Sequence, residues 1–239
     1  MPMIHGPQRA QAQRCRPPPE LVKELRRLSE RGTIRVLIAT DGGSEGKTNL
    51  ERCAGWGLAV GDKTFGGPLL GAARTAKAAE MTAARIAIAA AGMAKCTIAL
   101  AIDNQAVLGG VIRRLGGKRI RSRQTPGAWE EVRSWLEKQP GTTAFWVPSH
   151  GKQEQWKPPS HIEFEAAAIR RLNAEADDRA GVAYRARWDA QQNMRQQRQA
   201  AADWSMRNIH RLRRASNHLC ARYKAGDWSG AEKPSRKRK

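Results

Sequence analysis

Four acidic residues of this sequence have the type and placement needed to hold divalent cations. Asp41 and Asp103 each follow a β-branched or apolar run that predicts a strand. Glu80 and Asp177 lie in alanine-rich stretches that predict helices. Several carboxylates brought to one point cannot all ionise unless cations hold them, and such hard oxygen ligands suit Mg²⁺ or Mn²⁺. Two such ions about 4 Å apart can activate a water and stabilise the leaving oxygen in phosphodiester hydrolysis.

Each of these acids, taken alone, also has an ordinary structural explanation. Asp41 would cap a turn, Asp103 would cap a helix, and Glu80 would be a solvated surface charge. The placement of two acids at strand ends, together with a glutamate surrounded by alanines, favours the metal site over these separate explanations.

The predicted elements have an order that can bring the acids together. Alternation and apolar periodicity predict strands at 33–40, 54–60, 63–69, 96–102 and 142–147, and helices at 73–91, 105–115, 129–138 and 163–180. This order predicts a mixed sheet with helices packed against it. The nearly all-apolar strand 96–102 indicates a sheet covered on both faces. Because parallel strands end at the same edge of a sheet, Asp41 and Asp103 converge if their strands are neighbours.

The composition indicates a polyanionic partner and argues against a membrane protein. The 239 residues include 43 Lys and Arg against 22 Asp and Glu, for a formal net charge of +21. No apolar run reaches the ~18 residues of a membrane span, and no signal-peptide segment is recognisable. The four cysteines form no C-x-x-C pair and indicate intracellular thiols. We therefore expect an intracellular protein without membrane contact, and the basic C-terminus is compatible with the nucleus as well as the cytoplasm.

Composition divides the chain into four segments. Residues 1–19 are basic and predicted to be disordered, and residues 20–31 predict a short helix that either packs on the domain or forms a linker. Residues 32–180 form a mixed-charge domain, and residues 181–239 form a basic, partly helical tail that holds +11 of the excess charge. We expect the tail to bind nucleic-acid phosphates without sequence preference. For Trp204 in this tail, base stacking and packing on the domain stay open.

Residues 33–180 resemble the ribonuclease H domain of the cellular and retroelement-associated type. The resemblance is carried, in order, by segments 40–44, 54–60, 80–84, 102–105, 146–151 and 173–180. It implies an α/β, ribonuclease-H-like fold with a five-stranded mixed sheet and helices on both faces. It also implies a two-metal endonuclease that cuts the RNA strand of an RNA–DNA hybrid and leaves a 5′-phosphate.

The resemblance further assigns roles in hydrolysis. It implies four metal-binding acids: Asp41, Glu80, Asp103 and Asp177. For the last of these, Asp177 fits the family's frame better than the neighbouring Asp178. His150, on the loop after the last strand, matches the family's histidine that assists water activation or product release.

Substrate contacts are implied in four places. Gly42, Gly43 and Ser44 would approach the RNA strand closely, and Gln105 matches a position that contacts nucleic acid in the family. Where the family often has asparagines shortly before its helix glutamate, this chain has Ala76-Lys77-Ala78-Ala79, so those contacts are either absent or replaced by Lys77. The basic loop would contact phosphates through three side chains: Lys118, Arg119 and Arg121.

Two other hypotheses stay open beside the hybrid-specific nuclease. One is a non-catalytic nucleic-acid-binding module on the same scaffold. The long stretch 151–176 before Asp177 is compatible with it, because that stretch determines whether Asp177 reaches the other acids. The other is a different nuclease or transposase of the same superfamily, although such enzymes usually hold fewer acids. The Pro- and Arg-rich flanks suit a segment of a retroelement polyprotein, whose partner would be a reverse transcriptase.

Overall fold

The computed structural model describes residues 16–32, 34–46, 52–69, 74–118, 126–139, 141–149, 153 and 155–225. Its helices are α1 (Pro19–Glu30), α2 (Ala76–Ala94), α3 (Gln105–Leu115), α4 (Pro126–Leu136) and α5 (Ala166–Lys224). Its strands are β1 (Val36–Glu45), β2 (Cys53–Val60), β3 (Lys63–Pro68), β4 (Ile98–Ile102) and β5 (Thr143–Trp146). The predicted order of strands and helices is therefore confirmed within the described residues.

The five strands form one mixed sheet in the order β3-β2-β1-β4-β5. β1, β2 and β3 pair antiparallel, whereas β1 pairs parallel with β4, and β4 pairs parallel with β5. In the parallel pairing Thr40 lies opposite Ile102, so Asp41 and Asp103 follow at the same level of neighbouring strands. With helices packed on both faces, this sheet confirms the predicted ribonuclease-H-like fold.

The first strand is longer than the sequence pattern predicts. We expected it to end at Asp41 because Gly42 and Gly43 are typical of turns. The parallel pairing with β4 does end at Thr40, but the antiparallel pairing with β2 continues as far as Glu45. β2 offers the backbone hydrogen-bond partners that keep both glycines extended, and Asp41 therefore lies within the strand rather than at its end.

Two apolar layers cover the sheet, one on each face. Alternate residues of β1 and β4, such as Ile38 and Leu100, point to the layer that includes α1, α2, α3 and α4. Their neighbours, such as Leu37 and Ala101, point to the layer that includes the beginning of α5. Every residue of β4 is buried, which confirms that this strand is covered on both faces.

Helix α1 packs on the domain, which resolves the alternative that it is a linker. Leu21 and Leu25 are fully buried in the core layer of α2. Between them Glu24 is also buried, and its Oε2 accepts a hydrogen bond from Lys63 Nζ at 2.7 Å. The hydrogen bond from Arg27 and the bond from Lys63 outweigh the effect of burial and lower the pKa of Glu24 to about 2. An ion pair between a buried carboxylate and a half-exposed lysine thus joins α1 to β3.

Two glycines let helices approach the sheet on either side of Asp41. A Cβ atom at Gly42 would lie 2.1 Å from the backbone nitrogen of Glu80 in α2. A Cβ atom at Gly57, the register partner of Asp41 on β2, would lie 2.1 Å from the carbonyl oxygen of Ala176 in α5. Such separations are too short for any side chain, so glycine at both positions permits the close helix–sheet packing.

The sequence predicts a final helix at 163–180 and a partly helical tail from residue 181. In the structure a single helix, α5, has residues in both stretches. The chain divides into two compact units, Met1–Trp188 and Asp189–Lys239, and the helix has residues in both. Most of the N-terminal segment predicted to be disordered, 1–19, lies outside the described residues, as do residues 226–239. Within the described part of the chain, none of the helices has the length and hydropathy required to cross a bilayer.

Replacing Gly57 by alanine tests whether this close packing sets the position of α5. The added methyl group would collide with the Ala176 carbonyl, so we expect the free energy of unfolding to fall by about 1–3 kcal/mol in chemical denaturation.

Gly109→Ala provides the matched control. A Cβ atom there meets nothing within 4 Å, and the residue lies in α3, so this change should leave stability equal or raise it by up to about 1 kcal/mol. Equal effects of the two substitutions would contradict the steric role of Gly57.

Candidate active site

The structure brings the predicted acids to one edge of the sheet. Asp41 comes from β1, Glu80 from the second turn of α2, and Asp103 from the residue that follows β4. One carboxylate oxygen of each lies within 4.8 Å of those of the other two. Asp177, on α5, joins them through a side-chain hydrogen bond with Asp41. Asp178 is exposed, so the structure places Asp177 rather than its neighbour beside the cluster.

The ordinary explanations fail for Glu80 and Asp103. Glu80 is only 3 % exposed, so it is not a solvated surface charge. The residue that caps α3 is Asn104, whose Oδ1 accepts hydrogen bonds from the backbone nitrogens of Ala106 and Val107 at 3.1 and 3.2 Å. Asp103 is therefore free of the capping role that we considered for it.

Local backbone contacts fix the elements that carry the acids. Thr75 caps α2 by accepting a hydrogen bond from Ala78 N at 3.1 Å, which sets the start of the helix one turn before Glu80. The Gly42 N–H donates to Asp41 Oδ1 at 2.5 Å. The indole Nε1 of Trp146 donates to the carbonyl oxygen of Asp103 at 3.1 Å and holds the backbone where β4 ends.

Burial and mutual repulsion disturb the ionisation of the cluster. Burial raises the pKa of Asp41, and the charge of Asp103 and the hydrogen bond with Asp177 raise it further. Burial also raises the pKa of Glu80, which the hydrogen bond and the charge of Asp103 reinforce. Without cations the cluster therefore retains protons at neutral pH.

The donor set fits a divalent metal. Glu80 Oε2 is buried and has no hydrogen-bond partner among the described residues, so this oxygen has lost water without gaining a donor. A metal ion would satisfy that oxygen and neutralise the carboxylates around it. Asp41, Glu80 and Asp103 could thus hold a metal ion, and the oxygen-only set matches the hard cations Mg²⁺ and Mn²⁺.

Five of the predicted substrate residues lie close in sequence to one of the acids. Gly42, Gly43 and Ser44 follow Asp41 directly on β1, with Gly42 buried and the other two half-buried. Lys77 is exposed in the first turn of α2, and Gln105 is exposed at the first position of α3.

The remaining predicted residues are on or near loops. Lys118 is exposed just after α3. Three others lie outside the described residues: Arg119, Arg121 and His150.

Two residues at the site were missed by the sequence analysis. The ring of Trp146 packs on the core, and its indole N–H also holds the backbone of Asp103. The ring of Tyr184 packs against Gly43 on β1. Tyr184 follows Asp177 by seven residues, two helical turns, and this spacing is the signal that would have placed both side chains on one face of α5.

Solved ribonuclease H structures are similar to this chain. The PFV RNase H domain is 18 % identical with a TM-score of 0.48, covering 64 % of this chain and 95 % of that domain. LC11-RNase H1 from compost is 17 % identical with a TM-score of 0.44, covering 64 % and 96 %. The N-terminal RNase H domain of a Mycobacterium tuberculosis protein is 17 % identical with a TM-score of 0.44, covering 64 % and 99 %.

No protein-family model and no curated protein matches the chain. The predicted resemblance to ribonuclease H domains is confirmed at the level of the fold, by the sheet order and helix placement described above. Because all three TM-scores lie below 0.5, the function has to be inferred from this chain's own residues.

The raised pKa values predict how metal binding depends on pH. A carboxyl whose folded pKa is raised keeps its proton where the unfolded chain has lost it, so stability without metal should fall as pH rises from about 4 to 7 through Asp41, and further above 7 through Glu80. Binding of Mg²⁺ or Mn²⁺ should release protons and tighten over the same range. Calorimetry in buffers of different ionisation enthalpy measures both quantities.

Neighbouring aspartates supply the control for this prediction. Asp177→Asn should weaken Mn²⁺ binding, whereas Asp178→Asn removes the same charge from an exposed position and should leave the affinity unchanged. Metal affinity that is independent of pH, or equal losses in both variants, would contradict the assignment.

Removing the indole donor tests the role of Trp146. Trp146→Phe keeps an aromatic ring but loses the hydrogen bond to the Asp103 carbonyl, which is worth about 1 kcal/mol. We expect roughly fivefold weaker Mn²⁺ binding in calorimetry.

Trp135→Phe is the matched control, because Trp135 packs against Gly92 of α2 and has no bond to the cluster that the structure describes. If both variants lose stability and neither loses metal affinity, the indole of Trp146 serves packing alone.

Proposed function

We propose that this protein is a metal-dependent endoribonuclease that hydrolyses the RNA strand of RNA–DNA hybrids. The observation that carries the proposal is the convergence of buried Asp41 and Glu80 with Asp103 at one edge of a ribonuclease-H-like sheet. Burying acids this close together is unfavourable, and a purely structural role does not explain an unpartnered Glu80 oxygen. Support for the hybrid as substrate comes from the motifs that resemble the family.

The four acids would act as the metal-binding set. Asp41, Glu80 and Asp103 would hold the ions, and Asp177 would complete the set through its position beside Asp41. Two bound Mg²⁺ ions would supply the activation of a water and the stabilisation of the leaving oxygen. Trp146 is a positioning residue here, because it acts on Asp103 through the backbone. The expected products carry a 5′-phosphate and a 3′-hydroxyl.

Residues that follow the acids along the chain would bind the hybrid. Gly42, Gly43 and Ser44 present backbone rather than bulky side chains next to Asp41, so a ribose 2′-hydroxyl could approach them. Lys77 and Gln105 are exposed near the acids in sequence and would contact phosphate or base edges. We assign His150 to water activation or product release, from its motif alone.

The basic segments would supply affinity without sequence specificity. Lys118 together with Arg119 and Arg121 would contact phosphates, and the tail would add further charge. A retroelement context, with a reverse transcriptase as partner, stays a prediction from the flanking composition.

A cleavage assay on three substrates tests the proposal. The full chain is incubated with labelled hybrid, single-stranded RNA and duplex DNA, in Mg²⁺ or in EDTA. We expect cleavage of the RNA in the hybrid only, and only with metal. Asp103→Asn should reduce the rate by about 100-fold or more, since even residues outside the metal's own ligands cost about 10–100-fold.

Asp62→Asn is the matched control, because it removes one carboxylate from the exposed turn between β2 and β3. It should cleave like the parent. Hybrid cleavage that survives Asp103→Asn would overturn the mechanism, and binding without cleavage by the parent would favour the non-catalytic module.

A further inference from the structure

The part of α5 in the second compact unit is a solvent-exposed, strongly basic helix. Residues 189–225 contain eight Lys and Arg against two acids, Asp189 and Asp203. No residue in this range is buried, and from 193 to 225 all but Asn208 are exposed. The helix forms here because Ala, Gln and Arg have high helix propensity, and not because it packs on an apolar core.

Half of the Lys and Arg side chains of this segment lie in one row along the helix. Arg207, Arg211, Arg214, His218 and Arg222 follow one another at spacings of four, three, four and four residues, which places them in a row along the helix. Trp204 precedes Arg207 by three residues, is 64 % exposed and continues the same row. We call these six residues the basic stripe.

The dimensions of the basic stripe match a nucleic-acid strand. At a rise of 1.5 Å per residue, the distance from Arg207 to Arg222 is about 22 Å. One strand of a duplex carries a phosphate for each ~3.4 Å of its axis, so the stripe can follow about six phosphates. Successive stripe residues are about 5–6 Å apart, which is suited to contacts with several phosphates in turn.

The apolar residues of the same segment lie on the opposite face. Ile209, Leu212, Leu219 and Tyr223 are all between 48 and 73 % exposed and recur at helical spacing about 140° away from the stripe. A protein groove that accepts a helix uses apolar anchors on the bound face, and the basic stripe offers a single aromatic ring. Charge complementarity therefore favours a polyanion over an acidic protein at this face.

We propose that the basic stripe is a second nucleic-acid-binding surface, which holds the phosphate backbone without reading its sequence. Its four arginines bind phosphates along one strand, and Trp204 stacks on an unpaired base where one is present. Asp203 is the acid that lies next to the stripe within residues 189–225. Its Oδ1 accepts a hydrogen bond from Gln199 Nε2 at 2.8 Å. The proposal rests on the proposed function for the class of ligand and is independent of hydrolysis.

Binding measured without cleavage tests the basic stripe. Fluorescence anisotropy in EDTA follows the full chain on labelled hybrid, single-stranded RNA and duplex DNA at several salt concentrations. In the stripe variant, Arg207, Arg211, Arg214 and Arg222 are changed to Ala. We expect affinity to fall at least tenfold at about 0.1 M salt, and the slope of log K against log salt to decrease by about 3.

A second variant removes the same charge from other sides of the same helix. It changes four basic residues to Ala: Arg195, Arg198, Arg213 and Lys224. We expect at most about a threefold loss of affinity, because these side chains project away from the stripe. Equal helicity of both variants in circular dichroism ensures that the comparison concerns side chains.

Two results would overturn the proposal. Equal losses of affinity in both variants would show that total charge, and not the stripe, determines binding. Unchanged binding by the stripe variant would show that the stripe does not bind nucleic acid and would favour an acidic protein as its partner. Trp204→Ala should weaken binding of single-stranded RNA roughly fivefold or more and leave duplex DNA nearly unchanged. Because the assay contains no metal, a failure of hydrolysis would not alter any of these results.

Discussion

Repulsion between buried carboxylates is the constraint on which the rest of this structure depends. Asp41, Glu80 and Asp103 come within 4.8 Å of one another, and two of them are almost completely buried. No fold gains stability from such an arrangement, so other interactions have to impose it. The apolar layers on both faces of the sheet supply that stability, and the acids lie together at one edge of the sheet.

Close backbone packing is the means by which the acids are kept together. α2 approaches β1 at Gly42 and α5 approaches β2 at Gly57, so Glu80 and Asp177 arrive on two sides of Asp41. The parallel pairing of β1 with β4 adds Asp103 at the same level. Each acid thus comes from a different element, and the sheet is the frame that all of them share. The site forms only when the long-range pairing is complete.

Much of this arrangement could be predicted from the sequence, because apolar periodicity marks helices and strands directly. The bounds of α3 at 105 and 115 were predicted to the residue from the apolar spacing, although its cap is Asn104 and not Asp103, the residue considered for that role. The end of β1 was not predicted correctly, because a Gly-Gly pair is typical of turns. Only the pairing with β2 shows that Gly42 and Gly43 are extended.

Contacts between distant residues escape the same reasoning. The bond between Trp146 and the Asp103 carbonyl joins side chain to backbone across 43 positions, and no local pattern encodes it. Likewise, the grouping of the four acids could be expected from strand order, whereas the burial of Glu80 depends on the helix packing that Gly42 permits. Positions 42 and 57 also determine how far this protein can diverge. At both positions the helix backbone lies against the strand backbone, so the spacing of the site does not depend on the outward-facing side chains of α2 and α5. Those side chains can change in evolution, while two residues without side chains keep the geometry constant.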